Sequence, residues 1–593
     1  MKSINQTSTP LGELNVLALD CQATGANPNK GRLLEIGWMA CRLDRQSHNS
    51  EVRAFLIRQP AGHSIPPPVT RITGISEENL HSAISAEAAW NDLVKAGEEM
   101  AALNRLNGCP AVIHFARFEL PFLNQLYEKY SSGIPFPFQI ICTHAIALRL
   151  LPELPRRGLR ALAGYFGLAV PELKRCSDHV LATVSIWKRL VELLKDRCSV
   201  NTLQDLSVWM DATKPSRSVK RTFPMEDKHR RNLPDQSGIY RMRRLDGSIL
   251  YIGKAKSLKQ RVSSYFRSKA PHAEHILEML TQAWKLDYIS TESALEAAVL
   301  ESDEIKRHCP PYNIALRGDR RSLFFGARDL QHWSNRCSST YCVGPFLSSR
   351  SVDAVSAFSY WIDRNMSLED DKCLMRIGST LFGAASADTL GLEILREGLT
   401  LFCNIHMHRL MHNSALRVMT SLGAQLWRQR KICADNLESD EEDSSEDTLP
   451  NEPVEQKVEW TPHDIANAIE GMLMHAAHML RRARWFQLLM DSCLHWACTD
   501  DPDTLRHLVI LKGGAVMALK SDSEGTQLSI PAVHRSPWEQ SRKVIDDLGT
   551  YDRLRVITTE MRRLVNEGRR VELRLSSKIR LNSCQIAKAL RWI

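Results

Sequence analysis

Tyr240, Tyr251, Lys254, Arg261, Glu301 and Asn313 fall within one stretch, residues 237–313, and their types are those that handle protons and anions. A phenol beside an ammonium can exchange a proton. A guanidinium presents a planar fork that fits an oxyanion, and a carboxylate can ligate a hard divalent cation. Taken singly, each has a plainer reading: strand aromatics, surface charge, a solvated helix carboxylate. The spacing around them predicts a scaffold. Gly238-Ile239-Tyr240 and Tyr251-Ile252-Gly253 each read as a short strand, with a turn at Asp246-Gly247, a dipeptide favoured in hairpins. Leu258, Val262 and Tyr265 then recur at helical spacing, with Lys256 and Lys259 around them. Residues 285–290 read as another strand. Residues 293–307 read as a helix that stops before Pro310 and Pro311.

Both tripeptides, Lys254 directly after the second, Arg261 in KQRVSSYF, Glu301 in AVLESDEIK and Asn313 in PPYN stand in one order. In that order the stretch resembles the GIY-YIG nuclease domain, and within it the nuclease of UvrC and its short relative, the Cho endonuclease. The resemblance implies phosphodiester hydrolysis, which needs an activated water, charge neutralisation at phosphorus and stabilisation of the departing oxygen. It makes Glu301 the ligand of a single Mg²⁺ or Mn²⁺. Arg261 would hold the phosphate. Tyr251 or Tyr240, with Lys254 nearby to favour the phenolate, would take the proton from water; Tyr251 is preferred. Asn313 would orient the site or the backbone around it.

Residues 13–195 read as α/β, three strands followed by mixed helix and strand. LALDCQATGANP…LLEIG, HFARFELPFL, CTHAIALRLLP and SDHVLATVSIW resemble the DEDDh 3′–5′ exonucleases of the DnaQ or epsilon type, which have a ribonuclease-H-like fold. The catalytic letters differ. The first motif, Asp-x-Glu in that family, is Asp20-Cys21-Gln22 here. The second-motif Asp is Glu119. The third-motif His falls on Lys174 and its Asp on His179, unless a shift of one residue puts Asp178 there. Two divalent ions about 4 Å apart need several anions between them. Gln22 supplies none, and Lys174 adds a positive charge. The expectation is a retained fold that binds DNA or a partner without cutting.

At 593 residues the chain has room for about three or four domains. With 43% hydrophobic residues and 24% charged it can build large cores, and a net charge of +9 suits a nucleic-acid partner. Residues 196–233 read as a basic, solvated linker that can also track phosphate, and 234–318 as the nuclease domain. Residues 319–430 read as mostly helical, with Tyr341-Cys342-Val343-Gly344-Pro345-Phe346 resembling the Gly-Pro-aromatic turn behind the UvrC nuclease. Residues 431–458 read as an acidic disordered linker. Residues 459–593 read as an α+β module, with a long helical pattern from Thr461 through SCLHW, a hairpin across Gly513-Gly514, then helix, turn at Gly568 and strand. His408 and His412 share a helical face with Cys403 nearby, but packing is the favoured reading. His475 and His478 are read as structural, and a zinc site at Cys337 and Cys342 is not expected.

The start of the sequence has no apolar signal core, and no run of apolar residues is long enough for a membrane span. The cysteines, 15 in all, are therefore read as reduced thiols in a bacterial cytoplasm. Neither the UVR helical hairpin, nor UvrC's second nuclease, nor its tandem helix-hairpin-helix end is recognisable, which brings the chain closer to Cho. The fold expected is thus multidomain α/β and α+β: exonuclease-fold, GIY-YIG, then helical and α+β regions. The function expected is a damage-directed DNA endonuclease of nucleotide excision repair, nicking by analogy 3′ of a lesion, with a UvrA–UvrB complex as candidate partner and no membrane. The alternatives are a 3′–5′ exonuclease or a non-catalytic repair scaffold.

Overall fold

The computed structural model describes residues 9–591 except 45–50, 61, 132, 169–172, 216–220, 268–271, 314–321, 384–390, 412, 435–459, 491, 498–504, 511–515, 520–544, 546 and 576–578. Residues 435–458 of the acidic linker, the Gly513-Gly514 turn and His412 lie outside the described residues, while 431–434 close a helix. The chain divides into two compact units, residues 1–293 with 310–314, and residues 294–309 with 315–593.

In the first unit, β1 (Val16–Ala23) is buried almost throughout, as expected of a strand covered on both faces. It pairs antiparallel with β2 (Leu33–Cys41), which pairs antiparallel with β3 (Arg53–Leu56). Helices α1 (Pro67–Thr73) and α2 (Ala86–Asn104) lead to β4 (Cys109–Ile113), parallel to β1. After α3 (Ala116–Tyr130), β5 (Phe138–Cys142) adds parallel to β4, giving the sheet order β3-β2-β1-β4-β5. Helices α4 (Thr143–Leu150), α5 (Leu159–Tyr165) and α6 (Cys176–Cys198) follow. Alternation along β1 feeds two cores: Val16 and Ala18 join α4, α5 and α6, while Leu17, Leu19 and Cys21 join α2 and α3. Asp20 and Gln22 continue the first series, so they point to the α6 face.

The segment expected to be a solvated linker is in large part ordered. Helix α7 (Leu203–Ala212) is capped by Thr202 and buries Leu203 and Leu206 in the core of α6. After α8 (Asp227–Arg231), Leu233, like Met225 before it, is buried in the next core. Basic composition masked this: the few apolar side chains are spaced to dock, and the charges face water.

Strands β6 (Gly238–Arg243), β7 (Ile249–Ala255) and β8 (Lys285–Ser290) form an antiparallel sheet in the order β7-β6-β8. Helix α9 (Leu258–Tyr265) buries Leu258, Val262 and Tyr265, the positions its period marked. Helix α10 (Glu274–Gln282) had no reading in the sequence. It meets α5 of the exonuclease-like fold, where Trp284 stacks on Tyr165 with ring centroids 5.5 Å apart and its Nε1–H donates to the Tyr165 carbonyl at 3.2 Å.

The second unit contains α11 (Ala294–His308) and a small sheet of β9 (Phe324–Gly326), β10 (Trp333–Ser334) and β11 (Val343–Phe346). The Gly344–Pro345 bond in β11 is cis. Helices α12 (Ser349–Asp363), α13 (Asp371–Phe382), α14 (Leu392–Leu410), α15 (Ala415–Val418) and α16 (Ala424–Ala434) follow, with a π-helical turn at Met419–Gly423. Helix α17 (Pro462–Leu489) starts on a capping box between Thr461 and Asp464. It ends earlier than its apolar pattern suggests: Ser492–Ala497 is strand β12, central in a sheet with β13 (Leu505–Ile510), β14 (Val516–Leu519), β15 (Val571–Arg574) and β16 (Arg580–Asn582). Pairing on both edges overrode the helical period there. Helix α18 (Leu548–Asn566) and α19 (Ser583–Leu590) complete the unit. Among the described residues no helix is long and apolar enough to cross a membrane, and every cysteine is a free thiol.

Candidate active sites

The hairpin of β6 and β7 sets Tyr240 opposite Gly253 and Met242 opposite Tyr251. Tyr240 is fully buried, and its hydroxyl lies 3.0 Å from that of Tyr265 on α9. Burial, then the neighbouring Tyr251 and Tyr265, pushes the Tyr240 phenol well above its ordinary range. Tyr251 is half-buried, and its ring centroid is 6.1 Å from that of Tyr240. Arg261, one helical turn before Tyr265 on α9, sets its guanidinium 5.1 Å from the Tyr265 ring centroid. Burial works against its charge, but Tyr240, Tyr265 and Tyr251 outweigh that and hold the guanidinium pKa above its usual value. Lys254 is exposed on β7. Tyr265 had no chemical role in the sequence reading; its place four residues after Arg261 was the available signal.

The glycines of the two tripeptides are needed for close approach. A Cβ on Gly253 would come within 2.5 Å of the Tyr240 hydroxyl and 2.8 Å of Tyr251 Cε1, while one on Gly238 would collide with the Ile289 carbonyl of β8. Asn313 is buried and grips β7 from beneath: Ile252 N–H donates to Asn313 Oδ1 at 2.9 Å, and Asn313 Nδ2 donates to Ile252 O at 2.8 Å. That double bond fixes the strand carrying Tyr251.

Glu301 lies half-buried on α11, in the second unit. Among the described residues no group of three or more His, Cys, Asp or Glu side chains is arranged to cage a metal ion. A single carboxylate is nonetheless a suitable donor for a hard ion that keeps most of its waters.

The exonuclease-like site assembles differently from its motif. Asp20 and Gln22 on β1, Glu119 on α3 and His179 on α6 converge. His179 Nδ1 lies 3.2 Å from Asp20 Oδ1 and 3.2 Å from Gln22 Nε2, and Gln22 Nε2 donates to Asp20 Oδ2 at 3.4 Å. Burial lowers the His179 pKa, but the hydrogen bond to Asp20 and its charge outweigh this, so the net shift is upward. Glu119 Oε2 is buried with no hydrogen-bond partner, and burial, then Asp20, raises its pKa well above the usual range. Asp178 is elsewhere: its carboxylate accepts the Arg175 N–H at 3.4 Å in the capping box of α6. The Lys174 side chain passes beside Gly74.

Two buried groups near this site were given no role in the sequence reading. Buried Glu35 on β2 accepts the Arg175 Nε–H at 3.0 Å and the Cys176 N–H at 2.9 Å, tying the start of α6 to the sheet. His114 Nδ1 meets Thr143 Oγ1 at 2.9 Å, and burial, then His144, pushes the His114 pKa down to about 3. Glu35 stands in LLEIG and His114 in HFARFELPFL, segments the sequence marked for their resemblance without giving either residue a role.

Comparison with known proteins bears on both sites. The model of the UvrC-like GIY-YIG domain matches residues 236–314. Residues 236–314 are a UvrC-like GIY-YIG domain. The Exonuclease family model matches residues 17–172, so two nuclease-family domains stand in tandem. A Mycobacterium tuberculosis protein named as a candidate bifunctional exonuclease/endonuclease is 31% identical over 265 residues, 44% of this chain and 37% of that protein. UvrABC system protein C of Clostridium acetobutylicum is 43% identical over 94 residues, 16% of this chain and 15% of that protein. The chain thus spans well under half the length of these relatives. The N-terminal GIY-YIG endonuclease domain of Thermotoga maritima UvrC, solved with its catalytic magnesium, shares 33% identity, covers 15% of this chain and 100% of that chain, and has a TM-score of 0.14.

Proposed function

We propose that this chain is a metal-dependent DNA endonuclease of the UvrC/Cho type. It nicks one strand of damaged duplex, 3′ of the lesion, in bacterial nucleotide excision repair, and so works in the cytoplasm. The observation that carries this most is the Arg261 guanidinium on α9, 5.1 Å from the Tyr265 ring centroid and under the influence of Tyr240, Tyr265 and the half-buried Tyr251. Arg261 holds a phosphate oxygen of the scissile ester. Tyr251 accepts the proton of the attacking water, and the Lys254 ammonium on the same strand favours its phenolate. Tyr240 is unsuited to that task because burial holds its proton; it braces Arg261 instead. Asn313 keeps β7, and with it Tyr251, in place.

Glu301 is the ligand of Mg²⁺ or Mn²⁺; this role rests on the motif. When bound, the ion supplies Lewis-acid charge neutralisation at the phosphoryl group. The products carry 3′-hydroxyl and 5′-phosphate ends. The exonuclease-family domain is idle as a nuclease, because His179 stands against Asp20 where an anionic metal ligand is needed. A UvrA–UvrB complex is the partner that would deliver damaged DNA. The test is incision of a 5′-labelled duplex with one bulky adduct, with and without that complex. A discrete nick that Glu301→Ala removes supports the reading; a ladder of shortened 3′ ends supports an exonuclease instead.

A further inference from the structure

The helix that bears Glu301 is built into the C-terminal module. Helix α11 turns Leu295, Ala298, Ser302 and Ile305 inward at helical spacing, and its small residues allow α18 to lie close. Two ion pairs then join the helices within the two turns that follow Glu301. Asp303 receives the Arg553 Nε–H at 2.7 Å. Lys306 Nζ lies 3.1 Å from the carboxylate of Asp552, which is wholly buried, and donates to Ser302 Oγ at 2.8 Å. Ser302 is itself buried and directly follows Glu301. A buried carboxylate is costly unless paired, so Asp552 fixes where Lys306 must sit.

The geometry points to α18 as a brace for the nuclease: Asp552 and Arg553 are positioning residues that set the rotation and height of α11, and so the direction of the Glu301 carboxylate. The C-terminal module, which carries no nuclease motif, then controls how well the metal is held. This inference rests on the reading of Glu301 as metal ligand. Small misplacements of a ligand cost rate steeply while leaving DNA affinity intact, because Arg553 touches neither substrate nor ion.

The test uses the full chain, the adducted duplex and a Mg²⁺ titration. Arg553→Asp sets two like charges together on the half-exposed pair. It is expected to slow nicking about tenfold and to raise the half-saturating Mg²⁺ concentration, with DNA binding unchanged. The swap Asp303→Arg/Arg553→Asp is expected to return both to within about twofold of wild type. Arg553→Met, which removes the pair without repulsion, guards against misfolding and is expected to move both quantities in the same direction, by less. Wild-type rate and Mg²⁺ midpoint in Arg553→Asp, with Glu301→Ala inactive, would overturn the brace alone. A swap that fails to rescue would also overturn it. Nicking by Glu301→Ala at the wild-type rate would overturn the metal reading, and the brace with it.

Discussion

His179 Nδ1 stands 3.2 Å from Asp20 Oδ1. In a two-metal exonuclease site two carboxylates would face each other across this gap with cations between them. Here an imidazole whose pKa is shifted upward stands in that place, Gln22 carries no charge, and burial, then Asp20, raises the pKa of Glu119. Restoring Gln22→Glu alone therefore adds charge without removing His179. We expect neither wild type nor Gln22→Glu to shorten 3′ ends of a 5′-labelled single strand in Mg²⁺. A processive ladder from wild type that Asp20→Ala abolishes would contradict this.

The same pair has a pH signature. A histidine whose folded pKa is raised contributes stability that is complete below its unfolded value, about 6.5, and is lost as pH rises through the folded value. The melting temperature of His179→Gln should thus fall below wild type at about pH 6 and approach it by about pH 9. His114 has the opposite sign, since burial depresses it to about 3. Its stabilising effect is present above about 6.5 and drains away as pH falls from there. His114→Gln should lose stability less steeply than wild type on that acid limb. Parallel acid limbs in the two proteins would refute the assignment.

Gly253→Ala tests the packing of the tyrosines. The new methyl would lie 2.5 Å from the Tyr240 hydroxyl, and both ring and strand are buried, so neither can yield freely. The expected cost is about 1–3 kcal/mol of stability together with most of the nicking activity. Thermal melting and incision assays on one preparation would show it; an active, fully stable Gly253→Ala protein would mean the rings are looser than described.

Asn313→Ala leaves the Ile252 N–H and C=O without their side-chain partner in a buried place. The expected loss is about 1–3 kcal/mol for each unpaired group. Asn313→Asp keeps an acceptor for the N–H but faces an anion toward Ile252 O, so it should rescue little. Chemical denaturation of the three proteins compares them directly, and an Asp variant as stable as wild type would argue against the double bond.

The strands and helices around Tyr240, Tyr251 and Arg261 were legible because each has a clean period and a stop: β8 and α9 fall where their apolar residues recur, and α11 ends before Pro310. The exonuclease-like fold was legible in the same way. What could not be read was partnership between distant residues. That His179 rather than Asp178 reaches Asp20 depends on Glu35 anchoring the start of α6, 141 residues away in sequence from Cys176. That α11 leans on α18 depends on Asp303 and Arg553, 250 residues apart. Residues 196–233 misled because charge dominates their composition while four apolar side chains, Leu203, Leu206, Met225 and Leu233, do the docking.

The central claim is that one of the two nuclease-family domains cuts. It is tested most directly by incision of a 5′-labelled, singly adducted duplex in Mg²⁺ by wild type, Arg261→Ala, Glu301→Ala and Asp20→Ala. The account predicts a discrete nick by wild type and Asp20→Ala at equal rates, and loss of about a hundredfold or more in the other two. Cutting that survives Arg261→Ala and Glu301→Ala but disappears in Asp20→Ala would contradict it.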